Sequence, residues 1–112
     1  MDTVSTEELR QRLDENEATP VFVLSELLFE KEHIPGAINI PEEEVDERFS
    51  EEFDEGEEVI IYCASESCQA APRVGQKLEA MGFENVREYE PGLEGWRERG
   101  LPLEGSAVSE AD

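Results

Sequence analysis

Two cysteines, Cys63 and Cys68, bracket a short polar loop and are the residues of this sequence best suited to covalent chemistry. The loop follows the apolar run 59–62, which is typical of a strand buried on both faces. Ligands of open parallel sheets bind at the carboxyl ends of the strands, where loop amides and a helix N-terminus stabilise a thiolate. Cys63 is therefore the candidate nucleophile. The alternative is a small buried cysteine that merely ends a strand.

The second cysteine, Cys68, has three interpretations. It is a resolving thiol that forms a disulfide or trisulfide with Cys63, a substrate contact, or a buried residue at the start of a helix. A permanent structural disulfide is not expected in a reducing cytosol. The two cysteines and the single histidine, His33, fall short of a zinc ligand set, so we expect no metal and no cofactor.

Strands and helices alternate along the chain and must position this loop. A capping box at Ser5–Glu8 starts a helix that ends near Asn16. The predicted strands are 21–24, 38–40, 59–62 and 86–89, and the later predicted helices are an acidic one after Pro41, one that ends at Met81, and 93–99. The alternation predicts a single α/β domain over 1–105, with a mostly parallel sheet covered on both sides. We expect 106–112 to be a disordered tail.

The chain is strongly acidic, with 30 Asp or Glu against 9 Lys or Arg and a formal charge of -21. Nucleic-acid phosphates and anionic lipid head groups repel such a surface, so neither nucleic acid nor membrane is an expected partner. No apolar run reaches the roughly 20 residues of a membrane span, and residues 1–20 are too acidic for a leader, so we expect a cytoplasmic protein. Molar salt shortens the Debye length to about 3 Å and screens the self-repulsion. We therefore predict a salt-adapted, halophilic protein.

Four parts of the sequence resemble the signatures of rhodanese-like domains. They are His33–Pro41, 59–63, 82–86, and 92–96 followed by 100–102. The resemblance implies the rhodanese-like three-layer α/β/α fold and a sulfurtransferase. Cys63 would take sulfane sulfur from a donor such as thiosulfate or polysulfide and pass it, as a persulfide, to cyanide or a protein thiol. The alternative is a non-catalytic rhodanese-fold module that binds a partner or relays sulfur.

The resemblance also places the substrate-binding residues on the loop that follows Cys63. They are Ala64, Ser65, Glu66, Ser67, Cys68 and Gln69. Rhodanese domains commonly carry Arg where this sequence has Cys68, and the loop is longer than usual. Without a loop cation, thiosulfate would be held by amides alone unless Arg73 turned back from the helix. A phosphatase activity is not expected, because it requires that arginine. His33 belongs to a turn motif that is mainly structural in this family.

Overall fold

The computed structural model describes residues 2–106, whose strands form one sheet. Every neighbouring pair of strands is parallel, in the order β1-β5-β4-β2-β3. The strands are β1 Asp2–Thr3, β2 Thr19–Phe22, β3 Ile38–Asn39, β4 Val59–Tyr62 and β5 Val86–Tyr89. The helices are α1 Thr6–Asp14, α2 Glu26–Lys31, α3 Val45–Glu52, α4 Ala70–Ala80 and α5 Gly92–Glu98, with a 3₁₀ turn at Glu42–Glu44.

Helices cover both faces of the sheet, which confirms the predicted three-layer α/β architecture. Successive residues of β4 point to opposite faces, so Ile61 packs in one core cluster and Ile60 in the other. The first cluster includes residues of α3 and α4, among them Phe49 and Leu78. The second includes residues of α1 and α5, among them Leu9. Since β4 is completely buried between these layers, the residues that follow it are anchored on both sides.

β2 begins two residues before the predicted 21–24 and includes Pro20. The carbonyl of Phe22 accepts a hydrogen bond from the Ile40 amide, so the backbone of Phe22 faces β3. Pro20, two residues earlier, faces the same side. Because β3 pairs with β2 only from Val21 onward, the N–H that Pro20 lacks costs the sheet no hydrogen bond.

The short helix α2 was not predicted from the sequence. Its first turn is capped by Ser25, whose hydroxyl accepts a hydrogen bond from the Leu28 amide. Leu27 and Leu28 are exposed, and only Phe29 packs towards the sheet, against Phe22. A six-residue helix with its leucines in solvent has no apolar face that periodicity would reveal.

Two predictions concern the ends of the chain. The capping box is confirmed: the Glu8 amide donates to Ser5 Oγ (3.1 Å) and the Ser5 amide to Glu8 Oε1 (2.8 Å). The hydrogen bond from the Ser5 amide lowers the pKa of the Glu8 carboxyl. Of the predicted tail, 107–112 lie outside the described residues, whereas the Ser106 amide donates to the Glu30 carbonyl at 2.8 Å.

Replacing one buried carboxylate of the sheet is expected to stabilise the protein by an amount that depends on pH. Glu88 on β5 is 9% exposed; burial raises its pKa, and the nearby charge of Glu90 raises it further. Folding therefore favours the protonated form of Glu88. The stability that this form contributes is lost as the pH rises through the folded-state pKa. Glu88→Gln should raise the free energy of unfolding at neutral pH by about 1 kcal/mol.

Urea denaturation of the wild type and Glu88→Gln at neutral pH and near pH 4 would measure this gain. We expect the difference between the two proteins to shrink at the lower pH, where Glu88 is protonated. Glu84→Gln removes the same charge from an exposed position that does not act on Glu88, and serves as the control. A Glu88→Gln variant less stable than wild type at neutral pH would show that the Glu88 carboxylate is stabilising.

Candidate active site

Cys63 directly follows the central strand β4, which lies between β5 and β2. Its side chain is 3% exposed and belongs to the core cluster under α3 and α4. Leu24, two residues after β2, and Ile38 of β3 pack against the same cluster. The candidate nucleophile thus lies at the carboxyl edge of a parallel sheet, where such folds bind their ligands.

Cys68 is joined to Cys63 by a disulfide. The two Cα atoms are 6.2 Å apart, and the half-buried Cys68 packs against the same core cluster as Cys63. The Cys68 amide donates to the Ser65 carbonyl (3.2 Å), which closes the loop into a turn. The structure therefore makes the contact that a resolving thiol requires. Because the disulfide ties up both sulfurs, Cys63 has a free thiol only when the pair is reduced.

The other predicted binding residues share the loop between β4 and α4. Ser65 is half-buried, whereas Ala64, Glu66, Ser67 and Gln69 are exposed. The hydroxyls of Ser65 and Ser67 lie 3.2 Å apart, and the Gln69 side-chain amide donates to the Ser67 carbonyl (3.3 Å). Within 2–106, the backbone amides of residues 64–67 donate to no protein acceptor. These N–H groups can therefore bind an anion beside the N-terminus of α4.

The first turn of α5 holds the start of this loop from the opposite side. The Leu93 amide donates to the Cys63 carbonyl (2.9 Å), and the Glu94 amide to the Ala64 carbonyl (2.8 Å). Gly92 allows this approach: its φ is +66°, and a Cβ there would lie 2.6 Å from the Cys63 carbonyl oxygen. Sequence reasoning missed this role, although the motif at 92–96 was noted.

The loop itself contains no Lys or Arg, whereas Lys31 and Arg97 line a cavity that also borders Ala64. Arg73, which we considered as a substitute for a loop arginine, forms two hydrogen bonds with Glu42: Nε to Oε2 at 2.7 Å and Nη2 to Oε1 at 3.0 Å. The hydrogen bond from Arg73 lowers the pKa of the Glu42 carboxyl. Glu66 is the charged residue of the loop itself. The loop itself therefore offers an anion backbone N–H groups and no cationic side chain.

The motif at 33–41 fixes the carboxyl ends of the strands. The Ile34 amide donates to the buried Tyr62 hydroxyl (3.1 Å), and burial raises the pKa of that phenol. Asn39 Nδ2 donates to the carbonyl of Phe22 at the end of β2 (3.0 Å) and to that of Leu24 just beyond it (2.9 Å). These contacts lock β2, β3 and β4 together, so this motif is a structural support for the site.

His33 has a structural environment as well. Its ring stacks on Phe29 with the centroids 3.9 Å apart, and its Nδ1 lies 2.7 Å from the Phe29 carbonyl. Its Nε2 is 3.5 Å from Glu104. None of these contacts involves the loop after Cys63. Among residues 2–106, no three Cys, His, Asp or Glu side chains are grouped so that they would hold a metal ion.

Comparison with known proteins agrees with this arrangement. The family model described as "Rhodanese-like domain" matches residues 5–99, a range that includes Cys63 and its loop. The chain belongs to the rhodanese-like family. No helix in the described part of this rhodanese domain is both long enough and apolar enough to span a bilayer.

Three known proteins illustrate the similarity. The "HTH-type transcriptional regulator Rv0324" of Mycobacterium tuberculosis is 34% identical over 112 residues, covering 99% of this chain and 49% of that protein. The "Putative sulfur carrier protein YrkF" of Bacillus subtilis is 31% identical over 94 residues, covering 83% and 49%. The solved "rhodanese with anions from E. coli" is 28% identical with a TM-score of 0.67, covering 80% of this chain and 99% of that one. This chain spans about half the length of the curated relatives it matches.

Proposed function

We propose that this rhodanese domain is a sulfurtransferase that carries sulfane sulfur as a persulfide on Cys63. The observation that carries the proposal is the position of Cys63: a buried cysteine at the end of the central strand, followed by amides that have no protein acceptor in the described part of the chain. Membership of the rhodanese-like family supports the same chemistry. So do the names of the sulfur carrier relative and of the rhodanese structure with anions.

The reaction takes place in two half-reactions. The Cys63 thiolate attacks the outer sulfur of the donor; the sulfur–sulfur bond of the donor breaks, and the leaving group departs with the electron pair. With thiosulfate the leaving group is sulfite. An acceptor nucleophile then attacks the outer sulfur of the persulfide, and Cys63 leaves as a thiolate. The amides of 64–67 stabilise the persulfide anion between these steps, and ping-pong kinetics follow.

The preferred donor is an organic persulfide or an organic polysulfide rather than thiosulfate. Thiosulfate is a dianion, and the loop offers it no cation, because Arg73 is paired with Glu42. Glu66 adds a negative charge to the loop. A donor that carries less charge avoids most of this repulsion. Acceptors are thiols or cyanide.

Sulfur uptake by a Cys68→Ser variant tests the proposal, because this variant retains Cys63 as its one thiol. Reduced protein is treated anaerobically with thiosulfate, polysulfide or cysteine persulfide, and its intact mass and peptides are analysed. We expect the mass to increase by one sulfur atom, located on Cys63. Absence of uptake from all three donors would refute the sulfurtransferase assignment.

A second candidate is a relay module that delivers sulfur to a partner protein. Leu27 and Leu28 are 65% and 45% exposed. Leu28 also borders a cavity of about 300 Å³ that adjoins Ala64 of the loop and is lined by both apolar and charged residues, among them Leu93, Lys31 and Arg97. Exposed leucines beside such a cavity suit a protein acceptor. A relay module would transfer sulfur to a protein thiol and not to cyanide, which the acceptor assays distinguish.

The charge of -21 leads us to propose a high-salt cytoplasm as the working environment, with small sulfur compounds and thiols rather than nucleic acid or membranes as partners.

Between 0.1 and 1 M KCl the Debye length falls from about 10 to about 3 Å. We predict that both the melting temperature and the rate with thiosulfate rise over this range, the rate severalfold. With an uncharged organic trisulfide as the donor, the rate of sulfur transfer should depend less on the KCl concentration. A melting temperature independent of KCl would argue against salt adaptation.

A further inference from the structure

We propose that Cys68 is a second catalytic residue, which attacks Sγ of the Cys63 persulfide and expels the outer sulfur as hydrosulfide. The inference rests on the proposed function, since it requires the Cys63 persulfide. It assigns the protein a further activity, the reduction of sulfane sulfur to sulfide at the expense of a dithiol.

The position of the two sulfurs carries the inference. The disulfide shows that Cys68 Sγ reaches Cys63 Sγ itself, which is the inner sulfur of a persulfide. The Cα separation of 6.2 Å lies within the range that disulfides adopt. Attack on the inner sulfur forms this same bond, so the structure corresponds to the product of the proposed step.

Burial favours Cys68 over external thiols in this attack. Cys63 is 3% exposed and lies in a cluster with residues of α3 and α4, and Cys68 Sγ already reaches its Sγ within that cluster. Cys68 packs against that same cluster from the start of α4. An attack within the chain also avoids the entropy cost of bringing a second molecule to the sulfur.

The loop is held in the geometry that the step needs. The amides of Leu93 and Glu94 fix the carbonyls of Cys63 and Ala64 at one end of the loop. At the other end, the Cys68 amide is bonded to the Ser65 carbonyl. Both cysteines therefore stay close together without closure of a lid.

The step balances without an external oxidant. The Cys68 thiolate forms a bond to Cys63 Sγ, the bond from Cys63 Sγ to the outer sulfur breaks, and the electron pair leaves with hydrosulfide. The sulfane sulfur is reduced and the two cysteines are oxidised to the disulfide. A small or protein dithiol then reduces this disulfide by exchange and becomes a disulfide itself. The net reaction converts an organic persulfide and a dithiol into a thiol, hydrogen sulfide and the oxidised dithiol.

Charge favours release of the product. Hydrosulfide is an anion, the loop contains Glu66 and no cation, and the chain as a whole carries -21. Arg73, which would otherwise retain an anion here, is bound to Glu42. The expelled sulfide therefore leaves a loop that has no cationic side chain of its own to hold it.

The test treats the reduced 112-residue chain, without oxygen, with one equivalent of cysteine persulfide, and follows intact mass and hydrosulfide. We expect the wild type to lose two hydrogens instead of gaining sulfur and to release one hydrosulfide per chain. Adding dithiothreitol should make the release catalytic. Cys68→Ser should instead gain one sulfur on Cys63 and release hydrosulfide at least tenfold more slowly. Cys68→Ala, which adds no hydroxyl to the half-buried position, should behave in the same way.

Two outcomes separate this inference from the proposed function. A wild type that keeps the added sulfur as long as Cys68→Ser would overturn the catalytic role of Cys68 and leave the Cys63 sulfurtransferase intact. Failure of both Cys68 variants to take up sulfur, while their circular dichroism shows a native fold, would overturn the proposed function and this inference together.

Discussion

Replacing Cys63 by serine is expected to abolish sulfur transfer to cyanide and to dithiols, a loss of roughly a thousandfold or more, as for the removal of other covalent nucleophiles. A serine hydroxyl is not ionised near neutral pH and does not form the sulfur–sulfur bond of the intermediate. The amides of 64–67 would still be present, but with no persulfide to stabilise. Thiocyanate formation from cysteine persulfide and excess cyanide measures the loss, with dithiothreitol present so that the cysteine pair of the wild type is reduced again after each turnover.

Cys68→Ser is the matched control for this experiment, because it removes the other thiol of the same loop. It should still form thiocyanate, since the persulfide resides on Cys63. Cys63→Ala is the control for any destabilisation that the serine hydroxyl causes at a position that is 3% exposed. Equal thiocyanate rates in the wild type and both Cys63 variants would mean that another group carries the sulfur.

The architecture could be predicted because its strongest signals are local. β4 and β5 have the predicted bounds, 59–62 and 86–89: β4 is an apolar run, β5 begins with Val86 and ends with Tyr89, and both lie between polar or glycine-containing turns. The helix α2 was missed because its apolar residues do not form a buried face. The predicted start of β2 was too late, because only the sheet shows that β3 does not reach Pro20 and that the missing N–H costs no hydrogen bond.

The site was predictable in position but not in its contacts. Cys63 and its loop follow from the strand–loop–helix order. The pairing of Arg73 with Glu42 joins residues 31 positions apart, and no local pattern specifies it. The support from α5 likewise depends on where Leu93 lies in the folded chain. Of the three interpretations of Cys68, only tertiary structure shows that its sulfur meets that of Cys63.

The support from α5 predicts a second large effect, in Gly92→Ala. Gly92 has a φ of +66°, and the new Cβ would lie 2.6 Å from the Cys63 carbonyl oxygen and 2.9 Å from the Ser65 amide nitrogen. The left-handed conformation alone costs a non-glycine residue about 1–2 kcal/mol. Relief of the clash also requires that α5 or the loop move, so we expect a total loss of roughly 3 kcal/mol or more. Sulfur transfer should fall at least about tenfold, because the loop amides shift with the Cys63 carbonyl.

Gly100→Ala separates the clash from the backbone conformation. Gly100 has nearly the same φ, +70°, but a Cβ there meets no atom within 4 Å. It should lose only the roughly 1–2 kcal/mol of the left-handed conformation and keep full activity. Urea denaturation and the thiocyanate rate are measured for both variants. If the two variants lose equal stability and both stay active, the contact between α5 and the loop is not a constraint on the site. If Gly92→Ala alone loses activity while still folded, the position of the Cys63 carbonyl controls the chemistry of its thiol.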